Sequence, residues 1–534
     1  MTLDQQTSPD KKAAPETADA PGDTGLEHFG YKQTLDRSIG KFASFAAGVS
    51  YISILTGTFQ MFYFGYGTAG PAYLWSIPLV FVGQLMIALC FMELAAKYPI
   101  AGSVYNWSKA LGTKVVGWSA GWMILTASIV TLAAVVLAID ATMPRIWSGF
   151  RIIGSHNLLE VSPSNAVLLG AILIVLTTVI NALGVRLMTL INSVGVFVEL
   201  CAAVVIIIVL ACNIKRTPAL LFHTNGYGAG VPGGFLTLFL IASIASAYIM
   251  YGFDTASSLG EETREPRKTA PTAIFRAVLS SCVLGGGILT LAVLATPDLT
   301  DPELANKAGG LQYVIESVLN GSWGKVFMVT LTVAISVCAL SVHTAAIRIA
   351  FAMARDNALP FGEKLASVHP KYQTPIVPAV TIGALAIAIL VMNVNQPTIF
   401  TIVTSIAVVM IYISYLLVTG PMLVQRFRGN WPPADLKAEG YFTMGRWGFV
   451  VNILAVVWGI GMGLNVAWPR PEVYGEGWYN TWGAFIYIGI IAGVGLIWYY
   501  TVGRRSIGTL RSHASESVEQ AEPDAMATPG PEGI

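Results

Sequence analysis

Charge is what this sequence has least of. Only 11% of its 534 residues are Asp, Glu, Lys or Arg, against 54% hydrophobic ones, too little polar material to coat a soluble globule of this size. The surrounding solvent is therefore lipid. Acid and base nearly cancel, 31 Lys and Arg against 30 Asp and Glu for a formal charge of +1, so the basic bulk of a nucleic-acid binder is missing. Cysteine is equally sparse. The five (Cys90, Cys201, Cys212, Cys282, Cys338) lie in or at the ends of apolar stretches, with no CxxC and no His/Cys pair at metal-ligand spacing; they read as small buried hydrophobes. No metal site and no cofactor are expected. The N-terminus lacks the apolar core of a signal peptide and is rich in Pro, Ala, Asp and Thr, the composition of a disordered tail.

What is there is a series of long apolar runs. A helical span needs roughly 20 apolar residues, and twelve such segments can be marked, near 42–64, 71–96, 115–142, 164–184, 189–212, 233–259, 272–296, 325–354, 376–393, 398–425, 447–467 and 480–503. The chain thus divides into a cytoplasmic tail (1–38), an all-α, twelve-helix membrane domain (39–505) and a second disordered cytoplasmic tail (506–534). Placing the N-terminus inside assigns eight basic residues to the tails, sixteen to the inner loops and seven to the outer connections, which by the positive-inside rule leaves both termini in the cytoplasm of a cell-membrane protein. The long outer connection PDLTDPELANKAGGLQYVIESVLNGSWG has amphipathic spacing in its second half and reads as a short helix on the surface.

Segments one and six are unlike ordinary spans. The first reads SYISILTGTFQMFYFGYG, with Thr56, Gly57 and Thr58 halfway along; the sixth reads IASIASAYIMYGFDTASSLG, with Gly252 and Asp254. Glycine with polar side chains at that depth suits close helix packing or an unwound backbone lining a cavity. Their joint occurrence at the first helix of each half of a five-plus-five inverted repeat favours the cavity, as in secondary transporters. A channel would call for a ring of like residues around an oligomeric pore, and an enzyme for a nucleophile–base set or metal cluster in the spans, of which the sequence has none. A channel or sensor built on the same fold is the alternative reading.

Three stretches carry a resemblance. MELAAKYPIAGSVYNW follows segment two, GFDTASSLGEETREPRKTAPTAI ends segment six, and RIAFAMARDNALPFGEKLASVHPKYQTP follows segment eight. Together they resemble the amino acid/polyamine/organocation superfamily, and within it the amino acid/choline transporter branch, over roughly residues 40 to 505. The resemblance implies a permease for an amino acid, γ-aminobutyrate, a choline-like amine or a polyamine. Many amino-acid permeases carry Gly-Ser-Gly at the first break, where bare amides receive the substrate carboxylate; here Thr56-Gly57-Thr58 stands instead, and α-carboxylate recognition stays an open expectation.

A half-helix N-terminus offers unpaired amides to an anionic group, which makes Ser53, Thr56, Gly57 and Thr58 substrate-binding candidates. Opposite them stand the backbone from Tyr248 to Gly252, Phe253 and the Asp254 carboxylate, suited to an ammonium group. The resemblance gives Tyr248 the place of an aromatic gate, with plain packing as the alternative, and Asp254 the place of an acid in proton-sensitive exchangers, with helix capping near Glu261 as the alternative. Glu93 and Lys97 sit at i and i+4 and read as a structural pair or as holding the inner loop. His343 reads as a hydrogen-bonded packing residue before a proton carrier. The Arg267-Lys268 and Arg348-Arg355 clusters read as topology determinants, with lipid-headgroup or closed-gate contacts as the alternative. Trp118 and Trp122 suit an interfacial belt or helix packing.

Glu199, in VGVFVELCAAVVIIIVL, lies 13 residues beyond Arg186, or ~20 Å along a helix. By the resemblance, several superfamily members carry a lysine here that substitutes for bound sodium and links the broken first helix to segment eight. With the sign reversed, desolvation disfavours the ionised carboxylate, so the expectation is proton rather than sodium coupling. Ionised Glu199 holding sodium or a cationic substrate, and a protonated glutamate bonded to a neighbouring helix, are the alternatives.

Overall fold

The computed structural model describes residues 39–154, 160, 162–319, 321–392, 394, 399–508 and 510. The expected tails, 1–38 and 506–534, lie outside the described residues except for 506–508 and 510. Among the described residues, ten helices are long and apolar enough to cross a membrane, and two shorter apolar helices, Gly234–Ile249 and Ile376–Met392, fall on segments six and nine. The segment numbers are kept below. "Near side" denotes the face of the bundle where Ile39 lies, and "far side" the opposite one.

The burial pattern inverts that of a soluble protein. Segment five, Val185–Cys212, exposes Leu190, Val194, Phe197 and Val205 while burying Asn192 and Glu199. The buried set Met188, Asn192, Gly195, Val196, Glu199, Ala203, Ile206 and Leu210 recurs every three to four residues, one face of a helix. Apolar side chains outward and polar ones inward is the arrangement lipid requires. The same rule corrects the reading of the cysteines. Cys90 and Cys338 are buried, but Cys201 and Cys212 are exposed, because an apolar thiol on the outer face of segment five meets lipid rather than water.

Segment one is a helix in two pieces, Lys41–Ile52 and Ile54–Ala69, interrupted at Ser53 with φ +40°. Segment six stops as a helix at Ile249, short of the expected 259, and resumes only for the single turn Thr255–Ser258. Gly252 supplies the turn at φ +90°, a conformation that costs a Cβ-bearing residue energy. The two interrupted helices run antiparallel. The near half of segment one meets the tail of segment six, where Ser44 Oγ donates to the Ala256 carbonyl, and its far half meets Gly234–Ile249, with Gly57 facing Ile249. A π-turn at Ser281–Gly285 in segment seven brings Ser281 Oγ to the Ile249 carbonyl at 2.8 Å, so one carbonyl orphaned by the break finds a donor.

The amphipathic part of the far-side connection is a helix, Gly310–Val318, but it does not lie out on the membrane surface. It buries Leu311, Val314 and Ile315 and packs on the far half of segment one.

Candidate functional site

Between the two breaks lies a void of about 10 Å³, lined by Tyr51, Ile52, Thr56, Gly57, Gln60, Thr131, Val135, Tyr248, Tyr251 and Cys338. It holds about one water-sized sphere. On the far side, Tyr248 Oη donates to Gln60 Oε1 at 2.8 Å, while Gln60 Nε2 donates to the carbonyls of Ala134 and Val135 at 3.3 Å. On the near side the Tyr51 and Tyr251 rings meet edge to face with centroids 6.2 Å apart. Gly252 packs so tightly beneath them that a Cβ there would lie 1.9 Å from Tyr51 Cδ1.

Of the residues expected to bind substrate, Thr56, Gly57 and Tyr248 line this void and the rest do not. Thr58 donates back to the Ile54 and Leu55 carbonyls and turns its methyl toward Gly285. Phe253 is wholly buried against Phe91 and Tyr415. Asp254 receives a 2.5 Å hydrogen bond from Tyr415 Oη, which in turn accepts from the Gly252 amide at 3.1 Å. The acid and the unwound backbone of segment six are thus tied to one tyrosine of segment ten.

Ser53 belongs to a different constellation. Glu199 Oε1 accepts from Ser53 Oγ at 2.9 Å and from the Leu55 amide at 3.0 Å, so segment five's carboxylate takes one of the amides that the second half-helix leaves open. Ser53 Oγ also lies 2.6 Å from Thr56 Oγ1. Among the described residues, the other oxygen, Oε2, is buried with no hydrogen-bond partner. Beside this, Cys338 Sγ of segment eight donates to the Tyr51 carbonyl and Ser341 Oγ to that of Ala47. The break in segment one is therefore held from segments five and eight together.

Further toward the near side, buried ion pairs join the end of segment six to that of segment eight: Arg355 to Glu261 and Arg348 to Glu262, each at 2.8 Å. Glu261 also accepts from the Ala101 amide, and Asp356 accepts from Lys109 Nζ at 2.6 Å and Tyr105 Oη at 2.7 Å. Arg348 and Arg355 are thus buried in ion pairs and do not face lipid headgroups. Arg267 bonds Glu439 and stacks over Tyr441.

Glu93 and Lys97 do not pair with each other, because each finds a partner in the loop after segment ten. Glu93 accepts from Arg426, from Trp431 Nε1 and from the Met444 amide, and Lys97 bonds Asp435. Partial burial pushes Asp435 up, and the bonded Lys97 ammonium more than offsets that and holds it below the usual carboxylate range. His343 bridges Thr177 and the Ala379 carbonyl at 3.0 Å each, a packing role. Trp118 and Trp122 stack on each other and Trp118 on Trp498, which joins segments three and twelve.

The sequence reading missed Tyr51, Gln60, Thr131, Tyr251, Cys338 and Tyr415. Gln60 carried a signal, an amide in the middle of an apolar run. The tyrosines carried none, since 20 are scattered through the chain.

Comparison with known proteins bears directly on this arrangement. A family model described as amino acid permease matches residues 39–493. The amino-acid permease BAT1 homolog of Oryza sativa subsp. japonica is 28% identical over 479 residues, 84% of this chain and 88% of that protein. Amino-acid permease BAT1 of Arabidopsis thaliana is 26% identical over 483 residues, 85% and 89% of the two chains. The branched-chain amino acid permease BcaP of Bacillus subtilis is 24% identical over 355 residues, 65% and 72%. Since the match runs through both interrupted helices and the residues of the buried ion pairs, this chain belongs to the amino acid permease family, a family of membrane transporters and not of enzymes.

Proposed function

We propose that the protein is a secondary active transporter that carries an amino acid or a related amine across the cell membrane by alternating access, coupled to protons through Glu199. The relatives' names support an amino acid as the substrate class. The near side is then cytoplasmic, as the basic loops favour. In this reading the enclosed form has both closures made. Separating Gln60 from Tyr248 opens the void outward, and separating Glu261 and Glu262 from their arginines opens it inward. Thr56, Gly57 and Tyr248, with Gln60, Tyr51 and Tyr251, would meet the substrate.

The observation that carries proton coupling is the geometry of Glu199, one oxygen on the Leu55 amide at the break and the other buried without a partner among the described residues. An ionised carboxylate left half unbonded in a dry bundle is costly. Protonation removes that cost, and wetting of the break on opening restores it to the solvent. Proton exchange is in this way tied to movement of the half-helix that frames the substrate.

The test is uptake in proteoliposomes with an imposed pH gradient and no sodium. Wild-type protein accumulates labelled substrate, whereas Glu199→Gln exchanges it across the membrane without concentrating it. Accumulation that needs sodium, or normal accumulation by Glu199→Gln, would reject the coupling; unitary currents in reconstituted bilayers would favour a channel instead.

A further inference from the structure

A second and much larger cavity lies away from the two breaks. It is a groove of about 790 Å³ on the outside of the bundle, between segments nine and twelve with segment three as its floor. Trp122 and Leu125 form part of the floor, Leu385 and Met392 one wall, Ile490 and Val494 the other. Lining positions on segment nine run from Val377 to Met392, roughly 22 Å at 1.5 Å per residue, or about two-thirds of a hydrocarbon core of about 30 Å. The depth, length and apolar walls suit an extended acyl chain.

Its near-side mouth carries a lysine. Lys364 is the charged residue among the lining groups, and its side chain is exposed. Next to it Phe361, 78% exposed, is held at φ +58° and juts from the surface. The helix that supplies Ile490 and Val494 continues on the same side to Arg504 and Arg505, both exposed. That end of the chain is pinned beside the loop that carries Lys364, where Asn357 Nδ2 donates to the Ser506 carbonyl and the Gly508 amide to that of Asp356. Glu363 adjoins Lys364 but does not line the groove.

We propose that this groove is a binding site for an anionic phospholipid, one acyl chain lying between segments nine and twelve and the phosphate at Lys364. A zwitterionic lipid fills the apolar part equally well but gains less from the mouth, where each cation near the membrane surface is worth about 1 kcal/mol toward anionic lipid. Selectivity is therefore what distinguishes a site from ordinary solvation by the bilayer.

The probe is an equal mixture of phosphatidylglycerol and phosphatidylcholine, with retained lipid counted by native mass spectrometry after graded delipidation. Wild-type protein keeps phosphatidylglycerol in preference. Lys364→Gln, an exposed change that leaves the bundle intact, lowers the preference roughly fivefold, and Leu385→Trp, which fills the groove, removes the tightly held lipid. Equal retention of the two lipids by wild type, or an undiminished preference in Lys364→Gln, would overturn the proposal. So would a Leu385→Trp variant that loses a dimer rather than a lipid, because the groove would then be an interface between copies.

Discussion

Arg355 lays its guanidinium along the carboxylate of Glu261, Nη2 to Oε1 at 2.8 Å and Nη1 to Oε2 at 3.2 Å, with both side chains sealed from solvent. Removing one charge from such a buried pair costs about 3–5 kcal/mol, and removing both costs much less. Arg355→Gln is therefore expected to lower the melting temperature, and Glu261→Gln with Arg355→Gln to recover most of it. In a background with Cys90 changed to Ala and Cys201, Cys212 and Cys282 changed to Ser, Arg355→Gln should also raise the labelling rate of Cys338 by a maleimide applied from the near side. Labelling as slow as in the parent would show that this pair does not close that side.

Tyr248 and Gln60 are expected to govern the far side. Tyr248→Phe leaves the buried Gln60 oxygen without its 2.8 Å donor, a cost of about 1–3 kcal/mol. The predicted loss in kcat/KM for uptake is roughly fivefold to a hundredfold, with Tyr248→Ala lower still. Unchanged kinetics in Tyr248→Ala would remove the gate.

Gly252 and Gly234 offer a matched comparison of backbone against packing. Both have positive φ, +90° and +62°, but a Cβ at Gly252 enters the Tyr51 ring whereas one at Gly234 meets nothing within 4 Å. Gly234→Ala should cost only about 1–2 kcal/mol of backbone strain and still transport. Gly252→Ala should abolish transport or folding, as read by uptake and by size-exclusion profile.

Asp254 and Tyr415 should behave as a unit. If Asp254 responds to protons, Asp254→Asn flattens the dependence of substrate affinity on pH. Tyr415→Phe, which removes the 2.5 Å donor, displaces that dependence without flattening it. A profile unchanged in Asp254→Asn would leave Asp254 a structural partner of Tyr415 alone.

How much of this was legible in the sequence follows from which interactions are local. The apolar runs, the interruptions of segments one and six and the burial of Glu199 are each written within one stretch of chain, and the helices, the two breaks and the buried carboxylate stand there. Partners far apart in sequence did not. Glu93 and Lys97 fit the i, i+4 rule, yet Trp431 and Asp435, in a loop more than 330 residues away, claim them. Tyr415 cannot be told from the other tyrosines until segment ten is set against segment six. Thr58 shares a tripeptide with Thr56 and Gly57, and helical rotation alone sends its hydroxyl back onto its own helix.

Ile39 and the loop after segment six form a two-rung ladder, the Ile39 amide donating to the Glu262 carbonyl and the Arg264 amide to the Ile39 carbonyl, both at 2.9 Å. The root of segment one is thereby stitched to the exit of segment six, and through the Glu262 side chain to Arg348 of segment eight. With the Ser44–Ala256 hydrogen bond one turn higher, the near end of the first helix is fastened to the sixth at two points. If transport follows the proposed alternating access, a swing that frees the void toward the near side is expected to lift the two as one lever, so a disulfide across the ladder should leave transport intact, whereas one from either helix to segment three should stop it.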